Sequence, residues 1–399
     1  MKRGTALIDF DYSIPTKVLF GAGKLDGLKR EPLFGKLALV VVSADGSQSE
    51  RDSLNRVSDA LKHQNIEYMV FDKITPNPSK ACVMEAAQFA RDNFCDFVIG
   101  VGGGSVIDAA KAIALMTRNP GDLWDYIVTG SGKGRPVKNQ ALPVVAVMTT
   151  SGTGTEVDPW FDITDESVRE KIGFGAPSTF PRLSIVDPEL MRDIPPFLTA
   201  IQGFDAFFHA AEGFIAKIAT PISEAYSLQT IRLISKNLPK AVRDGTDMEA
   251  RTNIALAGLL SGMVQATSSC TSEHSMEHAM TAYHPELPHG AGLLMISDAY
   301  FSFFAKYVPD RLIKMAHMMG ETTDGLSDEE KPMTFVRALQ KLKRECGVDG
   351  LKMSDYGIKP DEMEQLARNA HKMMSNLFAM DRYTLSLKEN VDIFMAAYR

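Results

Sequence analysis

The first half of the chain alternates short, almost wholly apolar runs with amphipathic stretches, and this pattern restricts the fold more than any other feature. Lys36–Val42 (KLALVVV), Ile66–Phe71, Asp96–Val101 (DFVIGV) and Leu142–Met148 (LPVVAVM) read as buried strands. Between them Ser49–Gln64, Lys80–Asn93 and Ser105–Met116 carry helical apolar spacing. Strands that are apolar on both faces, separated by helices of this length, pair in parallel through βαβ crossovers. Trp160–Thr164 and Lys171–Phe174, joined by a charged turn, predict a hairpin at the edge of that sheet.

Beyond Pro195-Pro196 the texture changes. Thr199–Lys217, Ile222–Leu238, Met248–Gln265, Gly290–Phe304 and Lys331–Cys346 all have helical spacing, and β-branched alternation nearly disappears. A chain of 399 residues also exceeds what one hydrophobic core normally serves. The expected organisation is an α/β Rossmann-like domain over 1–195 and an all-α domain over 196–399. Net charge is −7 with no basic block, which argues against nucleic acid and anionic membrane as partners. No apolar run approaches the roughly 20 residues of a membrane span. The start, Met1-Lys2-Arg3-Gly4-Thr5, is too polar for a signal peptide. Cys82, Cys95, Cys270 and Cys346 are scattered without CxxC spacing, as expected of reduced thiols in a cytoplasmic protein.

The helical half holds a concentration of metal-ligand chemistry. His274, His278, His284 and His289 fall inside sixteen residues of a chain with eight histidines. Upstream, Asp205 and His209 stand four residues apart in a helical segment, so both project from one face. An aspartate with three histidines is an N/O ligand set suited to Fe²⁺, Zn²⁺, Mn²⁺ or Co²⁺. Ligands drawn from distant segments without a cysteine clamp point to a catalytic ion, the alternative being a polar core network. Glu277 directly precedes His278, so the run is not the His-Glu-x-x-His protease motif.

Two loops suggest a nucleotide. Gly100-Val101-Gly102-Gly103-Gly104-Ser105 leads from a strand into a helix, with Ser105 a candidate N-cap. Successive glycines admit a ligand close to the backbone, and the helix N-terminus presents free N–H groups to an anion. A tight turn is the simpler reading of that loop alone. Thr149-Thr150-Ser151-Gly152-Thr153-Gly154 follows another buried strand and would lie at the same C-terminal edge of the sheet, where open α/β sheets bind ligands. Asp45, just past the first strand, is either the acid that bonds an adenosine ribose or an ordinary turn residue.

In order, these motifs resemble those of the iron-containing (group III) alcohol dehydrogenase family over most of the chain. The likeness runs through Pro76-Asn77-Pro78, Gly102–Ser105 with Asp108 and Lys111, Trp124-Asp125-Tyr126, Thr149–Glu156, Asp187-Pro188-Glu189-Leu190, Gly203–Ala206 with His209, and the histidine cluster. It implies a dehydroquinate synthase-like fold with NAD, or NADP, and Fe²⁺, or Zn²⁺, in the cleft between two domains. By the same resemblance Asp205, His209, His274 and His289 are the metal ligands, and His278 is a catalytic pocket residue that does not bind the ion. Asp45, Asn77, Gly102, Gly103, Gly104, Ser105, Asp108, Thr149, Thr150, Lys171 and Leu190 would surround the cofactor, with Ser43 the alternative to Asp45. The chain departs from the family at Ser151 and Asp158, and the segment between His274 and His289 is one residue longer and carries His284. Pro288-His289-Gly290 matches the family's Pro-His-Gly, which favours His289 over His284 as the closing ligand.

The implied reaction is reversible hydride transfer between a primary alcohol and nicotinamide, with Lewis acidity from the ion and no side-chain nucleophile. Two rivals stand beside it: a dehydroquinate synthase-like lyase, whose acidic substrate needs basic pocket residues, and a non-catalytic protein pinned by its metal. The expected partner is a small alcohol or aldehyde, and the expected assembly a homodimer or higher homo-oligomer.

Overall fold

A computed structural model describes residues 8–399, so the polar start at Met1–Thr5 lies outside the described residues. The first half contains β1 (Lys17–Phe20), β2 (Leu37–Ser43), α1 (Gln48–His63), β3 (Glu67–Ile74), α2 (Lys80–Asp92), β4 (Phe97–Gly102), α3 (Gly104–Arg118), β5 (Val144–Met148), β6 (Trp160–Asp165), β7 (Glu170–Gly175) and β8 (Leu183–Val186). Six of these strands form one sheet in the order β1-β8-β5-β4-β2-β3. Every pairing in it is parallel.

Alternate side chains of each strand leave on opposite faces. Leu39, Val41 and Val98 pack with Val83, Ala86 and Ala110 of α2 and α3. Ala38, Val40, Ile99 and Val101 pack with Val57 and Leu61 of α1. A sheet covered on both faces requires strands apolar throughout, and β4 and β5 are buried at every position.

The hairpin prediction needs correction. β6 and β7 pair antiparallel in a separate two-stranded sheet and are not hydrogen-bonded to the edge of the main one. A single parallel bridge, Ser79 to Thr164, ties the ribbon to the start of α2. Phe161, Ile163 and Ile172 belong to the same core as α3 and the helical half, so the ribbon is held by packing between the two halves.

The remaining elements are helical: α4 (Pro196–Ile215), α5 (Pro221–Arg243), α6 (Met248–Thr267), α7 (Ser272–Tyr283), α8 (His289–Phe304), α9 (Pro309–Met318), α10 (Glu330–Glu345), α11 (Met363–Met373), α12 (Ser375–Met380) and α13 (Leu387–Ala397). α4 is buried from Gly203 to Ile215; Phe204 stacks on Phe208, which packs against Phe301 of α8, and Phe207 packs against Phe335 of α10. A helix apolar all round sits in the middle of its bundle. Its polar residues are therefore exceptions that need a reason. No single helix among the described residues is long and apolar enough to cross a membrane.

The two halves meet where backbone touches backbone. Gly154 has φ +68°, and a side-chain carbon there would strike the Gly262 backbone of α6. A carbon on Gly262 would strike Gly154 in turn. This mutual glycine contact brings the Thr149–Gly154 loop against the helical half.

Candidate metal and nucleotide site

α4 carries Asp205, His209 and Glu212 at i, i+4 and i+7, one stripe of the helix, and all three are buried. α7 does the same with His274, Glu277 and His278. His289 is the first residue of α8, after Pro288, whose fixed φ suits a helix entry. These three elements converge on Asp205 Oδ1, which lies 3.6 Å from His209 Nδ1, 3.7 Å from His274 Nε2 and 3.5 Å from His289 Nε2. Metal–ligand bonds of ~2.0–2.2 Å in a tetrahedron separate the ligand atoms by ~3.3–3.6 Å. Asp205, His274 and His289 lie close enough together to share one ion, and His209 adjoins Asp205 on one side and His274 on the other.

Asp205 Oδ1, His209 Nδ1 and His274 Nε2 are all buried without a hydrogen-bond partner. Buried polar atoms are rarely left unpaired, and a carboxylate oxygen with two such nitrogens 3.6 and 3.7 Å away marks a place for a cation. The opposite edges of two rings are held: His274 Nδ1 meets Glu212 Oε1, and His289 Nδ1 meets Glu277 Oε2. A carboxylate on Nδ1–H fixes the tautomer and turns the Nε2 lone pair inward. Glu212 is itself anchored by the Thr271 amide at 2.7 Å and hydroxyl at 2.9 Å.

The electrostatics agree with this division of labour. Burial pushes the Asp205 carboxyl up, but the surrounding His209, His274 and His289 hold it well below the usual range, so it is ionised. Burial takes His209 down to about 4, leaving a neutral imidazole with a free lone pair. Burial would lower His274, yet the Glu212 and Asp205 carboxylates raise it above its ordinary value. The Cys270 thiol also lies within reach of His209 and His274. Burial pushes it up to about 11, so it stays protonated and Asp205 is the anionic member of the group.

Three hollows meet at this cluster. A crevice of about 340 Å³ at the C-terminal ends of β2, β3 and β4 is lined by Gly103, Gly104, Ser105 and Thr150 on one side and by Asp205 and His289 on the other. A second cavity, about 110 Å³, is lined by His209, His274 and His278 together with Trp160 and Asp162. A narrow space of about 60 Å³ joins Asp205, His209 and His289 to Asp108 and Asp162. The two loops are adjacent because β4 and β5 pair as far as Gly102 and Met148, after which the Thr149 amide donates to Gly102 O at 3.0 Å.

Of the residues expected around a nucleotide, Gly103, Gly104, Ser105 and Thr150 line the crevice. The N-cap of α3 is Gly103 rather than Ser105, which sits in the first turn; no side chain caps this end, and its N–H groups face the crevice. Asp45 stands exposed on the turn after β2 and does not line the crevice, whereas Ser43 and Glu50 do. Thr149 is buried behind the loop, Gly102 lies close beneath Val106, and Leu190 is buried with its carbonyl accepting from Ser49 Oγ. Asn77, with φ 53°, donates to Pro285 O across the cleft. Asp108 accepts from Thr155 Oγ1 and the Asp162 amide, and burial raises it to about 7. Lys171 does not line the crevice; its Nζ lies 3.6 Å from Glu277 Oε2 and 3.4 Å from His289 Nδ1.

His278 Nε2 lies 3.4 Å from Asp162 Oδ2, and its pKa is lowered by burial, which Asp162 offsets in part. His284 forms the C-cap of α7 and turns to Glu362 at 3.3 Å, away from the cluster. Sequence reasoning missed three carboxylates that the structure brings to the site: Glu212, Glu277 and Asp162. Glu212 continues the Asp205/His209 stripe by one turn, and Glu277 stands one turn after His274. That spacing was the only available signal.

Fold and centre together are those of a metal-dependent dehydrogenase built in two parts. The chain belongs to the iron-containing alcohol dehydrogenase family, whose model matches residues 15–188, while that of the family's C-terminal part matches 199–398. It is 32% identical over 393 residues to the 1,3-propanediol dehydrogenase of Citrobacter freundii, spanning 98% of this chain and 99% of that protein. It is 32% identical over 364 residues to the NAD-dependent methanol dehydrogenase of Bacillus methanolicus, spanning 90% and 93%. An archaeal halo-thermophilic alcohol dehydrogenase from a Red Sea brine pool superposes with a TM-score of 0.93 at 28% identity, covering 98% of this chain and all of that one. The protein is thus an oxidoreductase of the alcohol dehydrogenase type.

Proposed function

We propose that this enzyme interconverts a small primary alcohol and its aldehyde with NAD(H), using one divalent ion held by Asp205, His209, His274 and His289. The observation that carries the reading is that a glycine-lined crevice and a cavity of alcohol size both open onto the same ligand cluster. Neither hollow is lined by a lysine or arginine, which the acidic substrate of a lyase would require.

The bound ion supplies Lewis acidity to an alcohol oxygen, and the nicotinamide accepts the hydride. The chain's own groups do the rest. The N–H groups at the start of α3 receive the pyrophosphate, and Gly103 lets it approach the backbone. Glu50, which accepts from the Ser47 amide at 2.9 Å, gives the outer end of the crevice a carboxylate that favours a ribose hydroxyl over a 2′-phosphate. Glu212 and Glu277 keep His274 and His289 oriented. His278, neutral and beside the alcohol cavity, takes the hydroxyl proton and returns it during aldehyde reduction.

The reading includes two units divided near residue 195. The last strand of the sheet ends at Val186, and α4 begins at Pro196. It also includes a cytoplasmic setting, supported by four free cysteines, and self-association, which sedimentation would measure. The test of the activity is NADH formation from short alcohols by Fe²⁺- or Zn²⁺-loaded protein. The reading requires turnover that chelation removes and that His274→Ala lacks; turnover undiminished in the variant would refute it.

A further inference from the structure

Trp160 and Asp162 stand two residues apart on β6, so both side chains reach the same face and both line the alcohol cavity. Each is fixed from behind. The Trp160 indole N–H donates to Gln265 O at 3.3 Å, and the Asp162 amide donates to Asp108 Oδ2 at 3.0 Å. The Asp162 carboxylate is open to the cavity, its side chain 35% exposed. One oxygen lies 3.4 Å from His278 Nε2. The other occupies the space left by Gly173, where a side-chain carbon would come within 2.8 Å of it. With no lysine or arginine in the lining, the cavity holds a fixed acceptor of negative charge beside an aromatic face.

A carboxylate in so small a space is costly to leave without a donor, and an apolar substrate would do so. His278 Nε2 approaches one oxygen at 3.4 Å without forming a hydrogen bond to it. The ligand end of the cavity is marked by His209 and His274, so the reacting oxygen and Asp162 share a hollow of about 110 Å³, the room of roughly four waters. A chain of three or four carbons spans that space.

We propose that Asp162, supported by Trp160, selects alcohols that carry a second hydrogen-bond donor, a hydroxyl or an ammonium, two or three carbons from the reacting carbon. The inference rests on the alcohol dehydrogenase reading and adds the substrate class. Both donors would bond the carboxylate, and an ammonium would also face the Trp160 ring.

The test compares kcat/KM for 1,3-propanediol, 3-amino-1-propanol and 1-butanol, which have the same number of non-hydrogen atoms. Wild-type enzyme should favour the two donor-bearing alcohols over 1-butanol by about 10- to 100-fold, the range for hydrogen bonds to a charged group. Asp162→Val should bring that ratio to about one or below, and Asp162→Asn should keep the diol preference while losing the amino alcohol. Because His278 contacts Asp162, both variants lose kcat, but a loss common to all substrates cancels in the ratio. A wild-type ratio near one, or a ratio unchanged in Asp162→Val, overturns the proposal.

Binding is read separately from turnover by the fluorescence of Trp160 in a Trp124→Phe background, since the chain has two tryptophans. The diol should saturate at lower concentration than 1-butanol, and Asp162→Val should remove the difference. Equal saturation by both in the parent overturns the proposal even in a protein that oxidises no alcohol, an outcome that would sink the dehydrogenase reading on its own.

Discussion

Replacing Glu212 by glutamine tests whether the buried carboxylates set the ligands. Glu212 Oε2 accepts from the Thr271 amide and hydroxyl, at 2.7 and 2.9 Å, while Oε1 meets His274 Nδ1. Glutamine has the same shape but one acceptor oxygen. That oxygen belongs at the Thr271 end, where two donors wait, which turns the amide NH₂ towards His274. The ring must then place its proton on Nε2, the nitrogen that faces Asp205. A protonated nitrogen has no lone pair for an ion. Loss of an outer carboxylate of this kind weakens metal binding by about 10- to 100-fold, or ~1.4–2.8 kcal/mol. Titration of the metal-free variant against a competing chelator measures the affinity, and ¹⁵N chemical shifts of His274 report the tautomer. The fold should persist, because the amide fills the same volume and keeps its bonds to Thr271. Metal affinity within about threefold of the parent, with Nδ1 still protonated, would refute this account of orientation.

Gly103→Val should weaken NAD(H) binding by about 100-fold or more without altering metal content, since a side-chain carbon at Gly103 already meets the Thr150 methyl at 2.9 Å and valine adds two more towards the crevice; isothermal titration of the nucleotide checks this. Glu50→Gln should move the NADP(H)/NAD(H) ratio of kcat/KM up by about tenfold, while Asp45→Gly leaves it unchanged, as Asp45 does not line the crevice. The reverse outcome would restore Asp45 as the ribose contact. Lys111 is fully buried and donates to Asp158, Thr155 Oγ1 and Trp160 O. Lys111→Met strands Asp158, already raised to about 6 by burial, and should cost ~3–5 kcal/mol in urea unfolding.

The sheet was largely legible because β2, β4 and β5 are long, apolar on both faces and bounded by helices. β1 and β8 were not: four residues each, KVLF and LSIV, are too short to show a period, and they pair across 166 residues, Lys17 with Leu183. The ribbon of β6 and β7 was visible as a hairpin, yet only the packing of Phe161 and Ile172 against the helical half shows where it lies. Asp205, His209, His274 and His289 stand out by residue type. Glu212, Glu277 and Asp162 do not, since a carboxylate on a helix or strand has the same appearance in sequence whether it faces water or a buried imidazole. Asp45 and Glu50 are a parallel case. The turn after β2 is short enough that the acid reaching the crevice comes from the first turn of α1, at Glu50, and chain position alone does not distinguish the two.

The central claim is that one ion, held by four side chains from three helices, sits where the glycine crevice and the alcohol cavity meet. Anomalous diffraction at the iron absorption edge, from crystals of protein loaded with Fe²⁺, tests it most directly. One peak should appear, bonded at ~2.0–2.2 Å to Asp205, His209, His274 and His289, with His278 and His284 outside that distance. A peak ligated by Cys270 or His284 in place of one of the four, or no peak in the cleft, would contradict the claim.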